Sequence, residues 1–308
     1  MSDYDAVIIG GGPAGLTAGL YLSRSKWKTL LLEKDMFGGY IMNIEMIENY
    51  PGFPEGVEGA VLGSQMAEQA AKFGLRLEMA EVTGLEVSSG TKWITCSEGN
   101  RFTADTVIIA GGSHLKKLGV PGEEKLRGKG IISCALCDGG EFANKVIAVC
   151  GGGDAGVTEA LYLSKIATKV YLIEFMPKLS ATSILQERVA SNPKIEVHCG
   201  TKVEAVLGDD HVTGLELRKS GNANTEVLAV EGLLVHIGLD PNTGYLNGIV
   251  PLDGQRKITV SNKMETELSG VFSAGDIRSS SPGQVCTAVG DGGTAAISAI
   301  RYLQTLRK

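Results

Sequence analysis

The sequence predicts an α/β fold, two Rossmann-like three-layer domains within one chain of 308 residues. Three observations carry the prediction. Gly10-x-Gly12-x-x-Gly15 follows one apolar run, and Gly151-x-Gly153-x-x-Gly156 follows another. An acid closes the next apolar run at the same distance each time. Glu33 stands 33 − 10 = 23 residues after Gly10, and Glu174 stands 174 − 151 = 23 after Gly151. Strand, glycine turn, helix and a second strand ending in an acid form the βαβ fingerprint of a dinucleotide site.

In the first copy, Asp5–Ile9 is continuously apolar after its first residue and reads as a parallel strand buried on both faces. Pro13 and Ala14 lie inside the triplet, Leu16–Ser25 is helical in pattern, and Thr29–Leu32 is a second strand ending at Glu33. The glycines allow a tight turn and close approach of a pyrophosphate to a helix N-terminus, while the acid accepts from a ribose hydroxyl. In the second copy Val146–Cys150 is the strand, Asp154 and Ala155 lie inside the triplet, and Thr168–Ile173 ends at Glu174. A carboxylate there suits a free 2′-hydroxyl and repels a 2′-phosphate. Phe175, Met176, Pro177 and Lys178 follow, with no arginine pair to clamp a phosphate. The second site is therefore expected to take NADH in preference to NADPH.

Composition bounds the remainder. Hydrophobic content of 43% with 21% charged residues is that of a globular chain with ample core. The 42 glycines are about twice the usual ~7%, and they cluster where backbone approaches a phosphate. A net charge of −6 and the lack of a basic tract speak against nucleic acid or an anionic membrane as partner. No apolar run approaches the ~18 residues of a membrane span, and the N-terminal residues do not read as a signal peptide. Six irregularly placed cysteines suit a reducing cytoplasm better than a disulfide scaffold.

Between the two glycine motifs lies Cys134-Ala135-Leu136-Cys137-Asp138. Two intervening residues let the sulfurs meet across a helix-start turn and cycle between dithiol and disulfide. The pattern alone also admits half a zinc site or a structural bridge. Zinc needs four ligands, however, and Cys96, Cys150, Cys199 and Cys286 each stand alone, so no metal is expected. Cys150, Cys199 and Cys286 read as core thiols. His114, His198, His211 and His236 show no metal spacing, and His236 reads as lying at a strand edge. Alternation over 212–218 and 225–231 around Ser220-Gly221-Asn222 predicts a hairpin, Val271–Ala274 a strand, and 285–304 a helix.

With both turns and the Cys134-x-x-Cys137-Asp138 dithiol, the chain resembles the low-molecular-weight thioredoxin reductase family from about residue 4 to 306. Gly38-Gly39 and Glu48-Asn49-Tyr50-Pro51-Gly52-Phe53 resemble its flavin-contacting loop. Ala110-Gly111-Gly112 and Ile237-Gly238 with Pro241-Asn242-Thr243 resemble its two domain crossovers. Gly270 to Asp276 resembles its second FAD motif, and Gln284 to Ala288 the start of the helix near the flavin. The resemblance implies FAD at the first site, with contacts from Gly10, Gly12, Pro13, Ala14, Gly15, Glu33, Lys34, Gly39, Tyr40, Asn49, Val82, Ala110, Gly111, Gly275, Asp276, Gln284 and Val285. It implies the nicotinamide coenzyme at the second, with Gly151, Gly153, Asp154, Ala155, Gly156, Glu174, Ile237 and Gly238. It also implies a discontinuous FAD domain, 1–115 and 245–308, into which a nucleotide domain, 116–244, is inserted.

As catalytic residues the resemblance implies Cys134, Cys137 and Asp138. Cys137 would lie against the flavin, Cys134 would attack the partner disulfide, and a buried Asp138 would move a proton to and from Cys137. A thioredoxin- or glutaredoxin-like small redox protein is the implied partner, and a homodimer the implied assembly. The chain departs from the family at Glu174-Phe175-Met176, where NADPH-type members carry His-Arg-Arg. There it is similar to the NADH-using flavoprotein of alkyl hydroperoxide reductase, without that protein's N-terminal second dithiol. Tyr40 replaces a usual Gln, and Gly283 a usual Arg. Two other functions remain open from the sequence: a flavin disulfide reductase fed by a reduced flavin or ferredoxin-like protein, and a redox sensor of low turnover.

Overall fold

The computed structural model describes residues 2–307. The chain divides into two compact units, one formed by residues up to His114 together with those from Asp240 onward, the other by Leu115–Leu239.

The first unit begins with β1 (Tyr4–Ile9), α1 (Pro13–Arg24), β2 (Thr29–Glu33), α2 (Gly59–Lys72) and β3 (Arg76–Met79). The antiparallel strands β4 (Val82–Ser88) and β5 (Thr91–Cys96) then lead into the long β6 (Arg101–Ile109). β1 pairs in parallel with β2 and β6, and β2 with β3. The run Val7-Ile8-Ile9 is buried because helices cover one face of this sheet and a second apolar layer the other. α1 starts with Pro13 at its first position, where the missing N–H is no loss. It packs so closely that a Cβ on Gly19 would lie 2.4 Å from Leu75 Cδ2.

β7 (Ser113–Leu115) carries the chain out of this unit. The second unit holds α3 (Glu123–Leu126), β8 (Ile131–Ile132), α4 (Ala135–Asp138), β9 (Val146–Cys150), α5 (Asp154–Ser164), β10 (Lys169–Ile173), α6 (Ser183–Ala190) and β11 (Ile195–His198). It continues with β12 (Thr201–Leu207), β13 (Gly214–Lys219), β14 (Thr225–Leu228) and β15 (Gly232–Val235). Its parallel sheet runs β11-β10-β9-β15-β8, and β12-β13-β14 form an antiparallel layer over one face. The hairpin expected around Ser220-Gly221-Asn222 is β13–β14.

β16 (Leu239–Pro241) returns the chain to the first unit. There β17 (Val271–Ser273) pairs in parallel with the second half of β6, and α7 (Val285–Leu306) packs beside α1 on the same core cluster. The fold is thus mixed α/β with two Rossmann-like sheets, and β3-β2-β1-β6 in the first is repeated as β11-β10-β9-β15 in the second.

Three expectations need correction. His236 does not lie at a sheet edge: it follows β15, which β9 and β8 flank on either side, and it is buried. The β8–β15 pairing, only two residues long, is invisible to periodicity. Cys286 is exposed on the first turn of α7 rather than part of the core. Cys199 is half-buried just beyond β11, while Cys150 is fully buried. Among the described residues no helix is long and apolar enough to cross a membrane.

Candidate active site

The two glycine turns are built alike, and sterics explain their residues. Gly10 has φ +108° and Gly151 φ +121°, a region that favours glycine. A Cβ on Gly10 would lie 2.3 Å from Ala110 O, and one on Gly151 would lie 2.1 Å from His236 O. A Cβ on Gly15 would meet Gly10 O at 1.9 Å, and one on Gly156 would meet Gly151 O at 2.1 Å. These four glycines let strand, turn and helix close on one another.

Gly12 and Gly153 differ. Each caps its helix with extended backbone and makes no side-chain cap bond. A Cβ on Gly12 would meet nothing within 4 Å, and one on Gly153 only Ser180 Oγ at 3.7 Å. Glycine is not needed there by the protein's own packing. An open cradle beside unpaired first-turn N–H groups fits a pyrophosphate.

The acids are held in register with the turns. Gly11 N–H donates to Glu33 Oε2 at 2.6 Å and Asp35 N–H to Glu33 Oε1 at 2.8 Å. Gly152 N–H donates to Glu174 Oε2 and Met176 N–H to Glu174 Oε1 at 2.7 Å. Each carboxylate is oriented by two backbone donors, and each oxygen keeps a lone-pair direction for a ribose hydroxyl. Both donor sets therefore fit a dinucleotide at the point where strand order reverses, between β1 and β6 and between β9 and β15.

Around the first turn the chain gathers most of the residues expected there. Gly38 N–H donates to Gly11 O at 2.8 Å, and a Cβ on Gly39 would lie 2.9 Å from Gly12 Cα. Tyr40 follows in a single 3₁₀ turn, with its side chain exposed. Asn49 Nδ2 donates to Gln284 Oε1 at 2.9 Å, just before Val285 opens α7. Gly275 sits against Ala14, where an added Cβ would come within 2.9 Å of the Ala14 methyl. Asn242 Nδ2 donates to Gly111 O at 2.7 Å. Asp276 accepts from Ser281 Oγ at 3.1 Å, and burial raises its pKa. Lys34 is exposed. Val82 opens β4 two residues past Ala80, whose N–H donates to Glu33 O at 2.7 Å.

In the second unit, Asp154 Oδ1 accepts from Thr182 N–H at 2.7 Å, tying the start of α5 to that of α6. Ile237 is exposed, and Gly238 O accepts from Lys116 N–H at 3.0 Å. Sequence reasoning set His236 aside, yet its carbonyl forms the floor of the Gly151 turn as Ala110 does for Gly10. The shared offset from the crossover, Ala110-Gly111 against His236-Ile237, is the signal that could have found it. His236 Nε2 is buried with no partner among the described residues, and burial pushes its pKa down to about 4.

The dithiol belongs to the same sheet as the second turn. β8 runs into Ser133 and Cys134, so the cysteines lie off the carboxyl edge that also carries Gly151. Cys134 caps α4, and Cys137 follows on the helix. They form a disulfide with Cα atoms 5.4 Å apart, and Cys137 N–H donates to Cys134 Sγ at 3.0 Å. Ala135 and Phe142 anchor the loop at 0% and 1% exposure. Cys134 is buried, whereas Cys137 and Asp138 are exposed. The exposed sulfur is thus that of Cys137, which the resemblance sets against the flavin, and the buried one that of Cys134, which it sets against the partner. Asp138 is likewise not in the apolar surroundings expected of it.

The pattern described as "Pyridine nucleotide-disulphide oxidoreductase" matches residues 4–292. The chain belongs to that family. It is 40% identical over 301 residues to a thioredoxin reductase of Mycolicibacterium smegmatis, covering 97% of this chain and 96% of that one. It is 38% identical over 307 residues to a thioredoxin reductase of Listeria monocytogenes, covering 99% and 95%. The crystal structure of Lactococcus lactis thioredoxin reductase in its FR conformation matches with a TM-score of 0.96 at 36% identity, over 98% of this chain and 100% of that one. The protein is accordingly an oxidoreductase of the thioredoxin reductase type, a family that implies FAD and a pyridine nucleotide.

Proposed function

We propose that the protein transfers reducing equivalents from NADH, by way of FAD, to the Cys134–Cys137 disulfide and on to a thioredoxin-like protein. The observation that carries the reading is the shared carboxyl edge of one parallel sheet, with the Gly151 turn off β9 and the disulfide off β8. When bound, FAD supplies the exchange of a hydride from the nicotinamide for an electron pair passed to sulfur. The net change is NADH, a proton and a disulfide giving NAD⁺ and a dithiol.

The chain's own residues have four tasks in this reading. The Gly10–Gly15 and Gly151–Gly156 turns seat the pyrophosphates, and Glu33 and Glu174 orient the riboses. Glu174 supports NADH in particular. Its two oxygens are aimed by backbone donors, so it cannot swing aside to admit a 2′-phosphate. The third task falls to the cysteines. Exposure supports a partner-facing role for Cys137: its thiolate attacks the partner disulfide, a mixed disulfide forms, and Cys134 displaces the partner as a dithiol while the Cys134–Cys137 bond re-forms. Asp138, next in sequence, is placed to take and return the Cys137 proton. A thioredoxin-like partner is supported by the names of the relatives, among them a Mycobacterium leprae protein named bifunctional thioredoxin reductase/thioredoxin. A homodimer rests on family resemblance alone.

Anaerobic titration of the FAD-loaded protein tests the route. NADH is expected to bleach the flavin absorbance at lower concentration than NADPH, and oxidised thioredoxin to restore it. A flavin band that stays oxidised with NADH sinks the proposal.

A further inference from the structure

The loop after Glu174 holds two apolar side chains out in solvent. Phe175 is 66% exposed and Met176 54%. Their backbone is fixed to the second nucleotide site on both sides. Met176 N–H donates to Glu174 Oε1 at 2.7 Å, and Met176 O accepts from Gly200 N–H at 2.8 Å. Further along, Ser180 and Ala181 N–H groups donate to Gly152 O at 2.9 and 3.0 Å. The exposed pair thus stands on a braced loop between the ribose acid and the glycine turn.

The first unit shows the equivalent step filled differently. Asp35 N–H holds Glu33 as Met176 N–H holds Glu174, so Lys34 occupies the step that Phe175 occupies in the second unit. One site places a solvated cation there and the other an aromatic ring. An exposed ring beside a ribose-binding carboxylate matches a flat apolar group attached to that ribose.

We propose that Phe175, flanked by Met176, is the stacking platform for the adenine ring of the reductant, and so a specificity-determining contact of this chain. The inference rests on the reading of the second turn as the NADH site. The coenzyme is then gripped on two chemistries at its adenosine end, hydroxyls by Glu174 and purine face by Phe175, with no use for a 2′-phosphate. Base–aromatic stacking is strong enough for its loss to be measured directly.

Calorimetric titration of the FAD-loaded protein with 5′-AMP, with ADP-ribose and with reduced nicotinamide mononucleotide is the test. Phe175→Ala is expected to weaken AMP and ADP-ribose binding about tenfold. Phe175→Trp is expected to hold or tighten both. Reduced nicotinamide mononucleotide, which has no adenine, is expected to bind and bleach the flavin equally in all three proteins. Phe175 is solvent-exposed, so circular dichroism should show the variants folded. AMP affinity that is the same in Phe175→Ala and wild type overturns the platform, even where NADH bleaches normally. A wild-type flavin that NADH cannot bleach sinks the redox reading instead, and AMP calorimetry still reports on the platform.

Discussion

Gly10 and Gly12 separate two reasons for a glycine that a sequence motif cannot tell apart. At Gly10 both the +108° φ and the 2.3 Å approach to Ala110 O exclude a side chain. Gly10→Ala should therefore cost stability, about 3 kcal/mol or more from backbone strain and clash together, read as a lower unfolding temperature with or without flavin. At Gly12 an added methyl meets no protein atom within 4 Å. Gly12→Ala should fold with an unchanged melting temperature in the flavin-free protein, yet lose flavin affinity by at least about tenfold. Flavin content after gel filtration checks this, and full retention of FAD by Gly12→Ala refutes the cradle. The same logic predicts that Gly153→Ala spares flavin and weakens NADH. Coenzyme choice is also decided residue by residue. Glu174→Ala with Phe175→Arg and Met176→Arg removes the carboxylate and adds two phosphate donors, and the guanidinium at 175 still stacks on adenine. The ratio of kcat/KM for NADPH over NADH should rise at least about tenfold, and an unchanged ratio counts against the carboxylate argument.

At the scale of elements, β15 shows what the sequence could and could not reveal. Its run Gly232 to Val235 is apolar and reads as a strand, but nothing in it tells whether neighbours lie on one side or two. The two-residue β8 supplies the second neighbour and turns His236 from an edge residue into a buried one. β1, β2, β9 and β10 were legible because both faces are covered, so each is a continuous apolar run beside a glycine turn. α7 was legible from its length and position. The contact between Asn49 and Gln284, 235 residues apart, was not, because no local pattern encodes it. The resemblance did supply both residues as site members. His236 also has a consequence for pH. Its folded pKa of about 4 lies below the unfolded 6.5, so the unfolded chain binds the extra proton first and stability falls as pH drops between those values. The full shift corresponds to roughly 3 kcal/mol. Wild type should lose melting temperature between pH 6.5 and pH 5 more steeply than His236→Leu, and parallel curves for the two proteins would remove His236 as the cause.

At the scale of the molecule, the repeat explains where the redox chemistry can sit. In the first unit β17 lies beside β6, with Phe272 opposite Ile108, and two residues later comes Ala274, leading to Gly275-Asp276. In the second unit β8 lies beside β15, with Ile132 opposite Leu234, and two residues later comes Cys134. The same architectural slot, off the carboxyl edge next to the switch point, carries a flavin-type motif in one unit and the dithiol in the other. One strand plan, filled differently twice, sets a glycine-acid turn in each unit and, among the described residues, one disulfide in the second. The exposure of Cys137 supports the proposed direction of exit, and trapping tests it. With a thioredoxin whose resolving cysteine is replaced by serine and whose remaining cysteine is activated as a mixed disulfide with thionitrobenzoate, Cys134→Ser should accumulate a covalent complex, visible on a non-reducing gel, because its exposed Cys137 attacks that disulfide, thionitrobenzoate leaves, and no neighbour resolves the new bond. Cys137→Ser should accumulate little, since Cys134 is buried at 8% exposure. NADH should still bleach the flavin in both variants, while disulfide reduction falls by at least about a hundredfold, near 2.7 kcal/mol in barrier terms. A complex that forms through Cys134 instead would return the partner-facing role to the buried sulfur, and would require the loop from Ser133 to Glu141 to rearrange before it reacts.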